Sequence, residues 1–542
     1  MQAVLGKVRG TQANLAPEGK SSLIRTLYVS AATVIIVALA SPALLLGSCS
    51  GGQTEDRVDQ ARDVKARRPS GGLRTDPRMP LVPIAHLTSS QENVSVEELS
   101  RARELAAPRG FLEMAGELLG RSDLESFDSA EAVIDHVSRT PGALGLVPWE
   151  EVDPRVKALS IDGRSLLEPG AAGPESYPLT PQEAENPNPE ELRRIVVGGD
   201  IWLDRGMPYV VFELDKGRDF PLNGGYAAVT RREPRQSRYS EFGVIHKFRA
   251  ERRGESGAVR EYLNGADLTL ANLENPVLRD ATHHPEGTTF TGDLRLLPVV
   301  EQAGIDGVTL ANNHVLDAGV PGLKETLKHL ERAGISSAGA GMDLAAAREP
   351  MIFDLGGTKV GVLSYVDVPG YEWSWATEEF PGTAPLREDV MREDIGRLRS
   401  EVDLVVVMPH WGREYRTTPE PEQVELAHAA IDAGADVVVG SHAHWVKGIE
   451  VYKSRPVFYG TGNFLADQTW SEETSTGVLA EITLYEERVV QSRPVPYLVM
   501  DYVQPNFLVP EAGGERVLDT IFSVSIGPEF EAYEGSSPED SE

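Results

Sequence analysis

Short apolar runs that end in polar residues recur along the second half of the chain. They lie at 194–200, 266–272, 306–310, 403–407 and 436–439. Continuous apolar runs of this length are typical of buried strands in a parallel sheet. Because α/β folds build their sites at the carboxyl ends of such strands, the polar residues there are the first candidates for chemistry. The pattern therefore predicts an α/β fold with a site at its strand ends.

The region before these runs has its own elements. Residues 81–85 and 142–148 predict strands, and 95–105 predicts a capped helix. The segments 142–152 and 156–163 resemble part of a periplasmic solute-binding-type domain. A degenerate docking or spacer domain is an equal alternative. We therefore expect a small α/β domain whose role stays open.

Stretches rich in Pro, Gly and charged residues separate these regions. They lack apolar periodicity, which is typical of linkers. The prediction, in chain order, is a signal peptide or lipoprotein anchor at 1–49, a linker at 50–79, the small α/β domain at 80–165, a Pro/Glu-rich linker at 166–192, a large α/β domain at 193–505 and a C-terminal extension with an acidic tail at 506–542.

The N-terminal segment predicts export. An apolar stretch at 27–48 follows Lys20 and Arg25 and ends in Leu-Gly-Ser before Cys49. This resembles a bacterial lipobox, in which the cysteine is lipidated. An uncleaved transmembrane anchor is the alternative, because about 20 apolar residues can span a bilayer. Both interpretations place the body of the protein at the extracytoplasmic face of the cell membrane.

Composition limits the partners. The chain has 542 residues, of which 41% are hydrophobic and 25% charged, as in ordinary globular proteins. Its formal net charge is −31. Since nucleic acids demand basic patches, we expect no nucleic-acid partner. The one cysteine excludes an intrachain disulfide.

Side chains that suit metal ions follow the apolar runs. Asp200 ends the first run, and Asn272 and Glu274 are two apart, so they share a side if the chain stays extended. A lone histidine after a strand more often has a structural use than a metal. Here, however, the histidines form a set after successive runs: His314, His410, His442 and His444.

The motifs follow a fixed order along about 193–505. They are Gly199-Asp200 with Arg205-Gly206, Asn272-Leu-Glu274, Ala311-Asn-Asn-His314-Val-Leu-Asp317, Gly339-Ala-Gly341, His410-Trp-Gly-Arg-Glu414-Tyr415, Gly440-Ser-His442-Ala-His444 and Tyr459-Gly-Thr-Gly-Asn463-Phe464. Together they resemble the CapA family of capsule (poly-γ-glutamate) synthesis proteins. Because that family is similar to calcineurin-like metallophosphoesterases, the resemblance implies a metallophosphatase-like four-layer α/β/β/α sandwich with a dinuclear metal site.

The resemblance also implies roles for individual residues. His314 would protonate a leaving oxygen. Arg205 is a candidate on chemical grounds, because a planar guanidinium suits an anionic substrate oxygen, and a surface ion pair is at least an equal alternative. The superfamily has a histidine where this chain has Trp202, so one ligand of the first metal is missing. One or two divalent ions, Mn, Zn or Fe, would suit the ligands implied: Asp200, Glu274, Asn313, His410, His442 and His444.

Two functions remain open at this stage. The first is a metal-dependent hydrolase or phosphoesterase that acts in the synthesis of a capsular or extracellular polymer of the poly-γ-glutamate type. The second is a non-catalytic surface assembly factor that binds the nascent polymer. In both, the expected partners are the membrane, through the N-terminal anchor, and an anionic extracellular polymer or its synthase.

Overall fold

The computed structural model describes residues 78–170, 176–237, 244–368, 370–371, 373–527 and 530–531. The expected anchor at 27–48, Cys49 and the end of the acidic tail lie outside these residues. Within the described ranges, no helix is both long enough and apolar enough to cross a membrane.

The N-terminal part of the described chain is a five-stranded mixed sheet with helices. The strand order is Glu125–Phe127, Leu105–Pro108, Leu144–Pro148, Leu81–His86 and Val156–Ala158. The helices are Val96–Arg101, Leu112–Leu119 and Ala130–Arg139. Ser95 caps the first of these through a reciprocal pair of hydrogen bonds with Glu98. This helix ends well before residue 105, because Leu105 begins a strand.

A ten-stranded sheet forms one half of the large domain. Four parallel neighbours, Leu192–Ile201, Leu268–Leu273, Gly307–Thr309 and Ser336–Ala338, contain the first three predicted apolar runs. The sheet continues on its other side through antiparallel and parallel neighbours: Thr476–Tyr485, Arg488–Met500, Gln504–Leu508, Tyr226–Gln236 and Val244–Arg253, with Asn463–Leu465 paired to Leu192–Ile201.

A six-stranded sheet forms the other half. Its order is Met351–Leu355, Thr358–Val366, Leu404–His410, Val437–Val439, Arg455–Phe458 and Ile449–Tyr452. The four central strands are parallel, and they include the last two predicted apolar runs. The structure therefore confirms the buried parallel strands.

The two sheets pack face to face and helices cover their outer faces. Val197 and Val406 belong to one core between the sheets, whereas their neighbours Val196 and Val405 belong to outer cores. This alternation follows from the two-residue period of a strand. The main covering helices are Ala258–Asn264, Leu297–Gln302 and Gly319–Ala333 on the ten-stranded sheet, and Glu388–Leu398 and Pro421–Ala433 on the six-stranded sheet. The predicted α/β/β/α sandwich is confirmed.

Shorter elements connect these layers. Short helices are Gly206–Pro208, Leu344–Ala347 and Glu472–Ser475, and Gly514–Ser525 packs on the inter-sheet core. Single turns of other helix types are Arg109–Phe111, Trp149–Glu151, Pro189–Glu191, Tyr209–Glu213, Phe220–Leu222, Leu294–Leu296 and Pro510–Ala512. Two-residue strands pair as Asn93–Val94 with Ser160–Ile161, Val277–Leu278 with Gly292–Asp293, Ala340–Gly341 with Gly382–Thr383, and Ile526–Gly527 with Phe530–Glu531.

The small sheet packs directly on the large domain. The backbone N–H of Ala158 donates to the side chain of Gln491 over 2.7 Å. Arg493, on the same long strand, lies 3.2 Å from Glu92 in an ion pair. Residues within 166–192 also pack here, since Leu167 and Leu179 are buried in the core of the small sheet.

Candidate metal centre

The two sheets deliver their polar residues to one place. In the ten-stranded sheet Asn272 pairs with Asp200 across parallel strands, and Glu274 follows one residue after its strand ends. In the six-stranded sheet His410 is the last residue of its strand. His442 lies in the loop after Val437–Val439. The carboxyl ends of the parallel strands therefore meet, as the sequence predicts.

One group of possible ligands consists of Glu274, His410 and His442. Their ligand atoms lie within 4.8 Å of one another, and all three side chains are buried. The Nε2 atom of His410 is 3.3 Å from the Oε1 atom of Glu274. It is also 2.8 Å from the Oδ1 atom of Asn313. Asn313 therefore lies where its side-chain oxygen could add a fourth donor to this group.

A second group consists of Asp200, Glu274 and His444, with ligand atoms again within 4.8 Å of one another. The Nδ1 atom of His444 is 3.2 Å from the Oδ2 atom of Asp200. Glu274 belongs to both groups, so the two positions share one carboxylate. Two cations bridged by a carboxylate would give this geometry.

The unsatisfied atoms test whether a cation fits. The Oδ2 of Asp200, the Oε1 of Glu274 and the Nδ1 of His442 are buried without a well-formed hydrogen bond. The two carboxylate oxygens have only the long imidazole contacts of 3.2 and 3.3 Å described above. Burying a carboxylate oxygen without a partner is costly, so such groups normally pair or bind metal. Carboxylate and imidazole donors suit first-row divalent ions. The residues present fit a divalent metal site.

The charges within the cluster compensate one another. Burial would raise the pKa of Glu274, but the imidazoles of His444 and His410 outweigh it and hold that pKa well below its usual range. Burial would likewise lower the pKa of His444, but Glu274 and Asp200 raise it to about 9. Burial and the neighbouring imidazoles of His410 and His444 lower the pKa of His442 well below the usual value. His442 is therefore a neutral imidazole, which is the form that binds metals.

A further layer of side chains orients these groups. The Oγ of Ser441 lies 2.9 Å from the Nδ1 of His410, which leaves Nε2 to face Glu274. The Oδ1 of Asn463 lies 3.0 Å from the Nδ1 of His444. Asn272 donates to the Oδ1 of Asp200 over 2.8 Å. Hydrogen bonds of this kind fix the ring orientation of metal-binding histidines.

The loop that carries the two histidines has an unusual backbone. His442 has a φ of 84° and His444 a φ of 53°. Non-glycine residues rarely adopt positive φ, and such residues cluster at functional sites because the surrounding structure holds them there. The loop is therefore shaped to present both rings to the cluster.

Trp202 stands at the edge of the centre. Its indole Nε1–H donates to the Oε2 of Glu274 over 2.8 Å, and both side chains are fully buried. Its ring stacks on Phe290 with 4.7 Å between ring centroids and meets His444 edge-on at 5.5 Å. The position at which a histidine ligand would be expected thus holds a hydrogen-bond donor.

The two residues expected to act on a substrate lie beside this cluster and outside both ligand groups. The Nδ1 of His314 is 2.8 Å from the Oδ2 of Asp317, and its ring meets Phe290 edge-on at 4.4 Å. Arg205 forms a largely buried ion pair with Asp467 over 3.0 Å, and its guanidinium lies 5.2 Å from the ring centroid of Trp202. Arg205 therefore does form the ion pair that the alternative interpretation expects, but the pair is mostly buried rather than on the surface.

The part of the chain that carries this centre matches a known family. The model of the family described as "Bacterial capsule synthesis protein PGA_cap" matches residues 194–468, just over half of the chain. The chain belongs to this family. The CapA-type assignment that the motifs predict is thereby confirmed.

The alignments with individual relatives of this PGA_cap member extend over a smaller part of the chain than the family match does. The chain is 34% identical over 231 residues to a capsule biosynthesis protein CapA of Bacillus anthracis, covering 41% of this chain and 56% of the relative. It is 31% identical over 224 residues to a PGA biosynthesis protein CapA of Bacillus subtilis, covering 41% and 59%. The chain therefore spans somewhat more than half the length of these curated relatives.

Solved structures with some likeness include two nucleotidases. An NAD nucleotidase of Haemophilus influenzae is 15% identical with a TM-score of 0.32, covering 61% of this chain and 56% of that one. A putative 5'-nucleotidase of Staphylococcus aureus is 15% identical with a TM-score of 0.33, covering 60% and 58%.

Aromatic residues surround the centre of the PGA_cap domain in two ways. Trp411 is buried and donates its indole N–H to the carbonyl of Tyr459, so it packs rather than lines a cleft. Tyr415 lies 5.8 Å from His444, between ring centroids, and 5.6 Å from the half-exposed Trp470. Tyr415 and Trp470 therefore line the His444 end of the centre.

Sequence reasoning missed a second aromatic group. Trp373 and Trp375 are 54% and 40% exposed, in a segment whose Gly370 packs against the carbonyl of Asn313. The spacing of two tryptophans in a polar stretch was the available signal. It did not show that the stretch lies next to the centre, because only the fold brings residues 313 and 370 together.

Proposed function

We propose that this protein acts in the biosynthesis of a capsular or extracellular polymer of the poly-γ-glutamate type, through a metal-dependent, hydrolase-type centre. The observation that carries the proposal is the convergence of two ligand groups on Glu274, at strand ends from both sheets. The names of the relatives from Bacillus anthracis and Bacillus subtilis support the polymer. Membership of the PGA_cap family supports the biosynthetic role.

The proposed ligands are the six residues that the sequence singles out, namely Asp200, Glu274, Asn313, His410, His442 and His444. Because imidazole and carboxylate donors predominate, we infer Mn, Zn or Fe rather than Ca or Mg. When bound, such ions would supply Lewis acidity for hydrolysis.

The remaining roles belong to the protein's own side chains. Asp317 accepts the Nδ1–H of His314, which leaves the Nε2 of that ring as the nitrogen that, in the imidazolium form, would give its proton to a leaving oxygen. Arg205 lies beside Trp202 and retains N–H groups beyond its contact with Asp467. An anionic oxygen of the substrate would meet its guanidinium there.

A non-catalytic role is the second candidate. The observation that favours it is Trp202, which adds no ligand to the group of Asp200, Glu274 and His444. A centre that keeps one cation would still hold an anionic polymer, which is all that an assembly factor requires. In this version the protein is an assembly factor that presents the nascent chain to its synthase.

We further propose that this centre works at the extracytoplasmic face of the cell membrane. The support is the lipobox-like sequence that ends at Cys49 and the apolar stretch at 27–48. A lipid anchor and a single transmembrane segment remain the two forms of the proposal. Labelling with a radioactive fatty acid, compared between wild type and Cys49→Ala, distinguishes them. A lipid-anchored wild type takes up label that Cys49→Ala does not, whereas a transmembrane anchor leaves both proteins unlabelled.

One experiment tests the proposed centre. The purified chain is stripped with chelator, supplied separately with Mn, Zn and Fe, and assayed for bound metal and for shortening of poly-γ-glutamate. We expect metal retention and metal-dependent shortening, with both lost in His442→Ala. The matched control is His428→Ala, whose ring pairs with Glu450 outside both ligand groups.

The outcomes separate the two candidates. Metal-dependent shortening supports the hydrolase. Polymer binding that survives chelation and the His314→Ala change, without shortening, supports the assembly factor. Absence of bound metal, together with His442→Ala behaving as wild type, contradicts the metal centre itself.

A further inference from the structure

The hydrogen bond between Trp202 and Glu274 makes the two oxygens of the shared carboxylate unequal. The Oε2 atom accepts the indole N–H over 2.8 Å. The Oε1 atom has no well-formed hydrogen bond and faces the Nε2 of His410 over 3.3 Å. Oε1 is therefore the more open of the two oxygens to a cation, because the indole N–H already occupies one lone pair of Oε2.

The ring of Trp202 is held firmly in this position. It stacks on Phe290, meets His444 edge-on and lies under the guanidinium of Arg205. Its exposed fraction is 1%. Since an indole N–H donates and offers no lone pair for a metal, this side chain contacts two candidate ligands, Glu274 and His444, without being able to bind a metal itself.

The two ligand groups are consequently unequal. The group with His410 and His442 has the free Oε1 of Glu274 and, at 2.8 Å from His410, the side-chain oxygen of Asn313. That makes four donors. The group with Asp200 and His444 has three, and it shares Glu274 with its neighbour.

We propose that Trp202 is a positioning residue that gives the centre one tight and one weak cation position. The tight position is formed by Glu274, His410 and His442, and the weak one by Asp200, Glu274 and His444. Trp202 acts by orienting Glu274 toward the first position and by withholding a ligand from the second. This inference rests on the proposed metal centre.

Counting bound metal in tryptophan variants tests the proposal. The chain is loaded with excess Mn²⁺, passed through a desalting column and analysed for manganese per chain. We expect the wild type to retain one ion. Trp202→His adds an imidazole beside the weak position, so we expect it to retain a second ion, a gain that general damage to the fold would not produce.

A second variant covers the case in which Trp202→His does not fold. Trp202→Phe keeps an aromatic ring but removes the donor to Glu274, and we expect Mn²⁺ binding at the tight position to weaken about 10-fold in calorimetry, as for other groups that orient ligands. The matched control is Trp149→Phe. This change removes another buried indole donor, bonded to the carbonyl of Glu185, and should leave both measurements unchanged.

Three results would overturn the inference. Two ions of equal affinity in the wild type would contradict the inequality while leaving the metal centre intact. Unchanged Mn²⁺ content in Trp202→His, together with unchanged affinity in Trp202→Phe, would contradict the role of Trp202 alone. A wild-type chain that retains no Mn²⁺, Zn²⁺ or Fe²⁺ would contradict the proposed centre and this inference with it.

Discussion

At the scale of single residues, the centre depends on side chains that are not proposed as metal ligands but that contact the ligands. Ser441 holds the Nδ1 of His410 and so leaves the Nε2 of that ring to face Glu274, whereas Asn463 contacts the same Nδ1 of His444 that faces Asp200. Such contacts fix the tautomer of the imidazole. Their removal should therefore weaken metal binding without removing a ligand.

Ser441→Ala tests this layer. It deletes the hydroxyl 2.9 Å from the Nδ1 of His410 and leaves the side-chain amide of Asn272, at 3.3 Å, as the remaining contact of that nitrogen. We expect metal affinity to fall about 10-fold, measured by calorimetry with Mn²⁺. Ser492→Ala, which removes another fully buried hydroxyl at the contact with the small sheet, is the control and should bind as wild type. Equal affinity in both variants would show that Ser441 does not orient His410.

His314→Ala separates proton transfer from metal binding. Since His314 lies outside both ligand groups, bound metal should be unchanged. A positioned general acid contributes roughly 10²-fold or more to a hydrolysis rate, so polymer shortening should slow by about that factor. Loss of metal from this variant would instead make His314 part of the metal centre.

At the scale of elements, the proposed ligands lie at strand ends, as Asp200 and His410 do, or in the loops that directly follow them, as His442 and His444 do. The loop after Val437–Val439 is the most constrained, because two of its residues have positive φ. It begins at Gly440. A Cβ atom there would lie 2.3 Å from the Nε1 of Trp411 and 2.5 Å from the carbonyl oxygen of Tyr459.

Gly440→Ala should therefore displace this loop. We expect a loss of roughly 1–3 kcal/mol in the free energy of unfolding, as for other overpacked core sites, together with weaker metal binding. Gly396→Ala is the matched control: a Cβ there meets no atom within 4 Å, and the residue lies within the helix Glu388–Leu398. The control should be neutral or stabilised by up to about 1 kcal/mol. Denaturant unfolding and calorimetry measure both effects.

The elements show why some features could be predicted from the sequence. Runs such as 403–407 are apolar on both faces, and only a strand covered on both sides accounts for that. The helix that begins at Val96 ends at Arg101 rather than near residue 105 as its pattern predicts, because Leu105 begins a buried strand. The contact of Trp202 with Glu274 joins residues 72 apart in sequence, which no local pattern reveals.

At the scale of the whole molecule, the small sheet and the large domain share buried contacts. His86, on the strand Leu81–His86, meets Phe522 of the helix Gly514–Ser525 edge-on, with 4.7 Å between ring centroids. Burial lowers the pKa of His86 to about 4. This side chain therefore makes packing in the folded protein sensitive to acid.

The sign of that effect follows from proton binding. Between pH 6.5 and about 4 the unfolded chain binds a proton at His86 that the folded chain does not bind. The free energy of unfolding should thus fall as the pH falls through this range, by roughly 3 kcal/mol from this group. His86→Gln has no group that titrates at this position. The difference in free energy of unfolding between wild type and His86→Gln should therefore become smaller as the pH falls from 7 to 4. If denaturant unfolding gave the same difference at every pH, His86 would not be the source of the acid sensitivity.

The ligand groups draw their members from both sheets: Asp200 and Glu274 from one, His410, His442 and His444 from the other. A cation bound between them would cross-link the two halves of the sandwich. By mass action, a ligand at 100 times its dissociation constant adds about 2.7 kcal/mol to folding stability. Melting temperature is therefore a readout of occupancy that needs no knowledge of the reaction, and a thermal-shift screen can rank both metals and polymers for this protein.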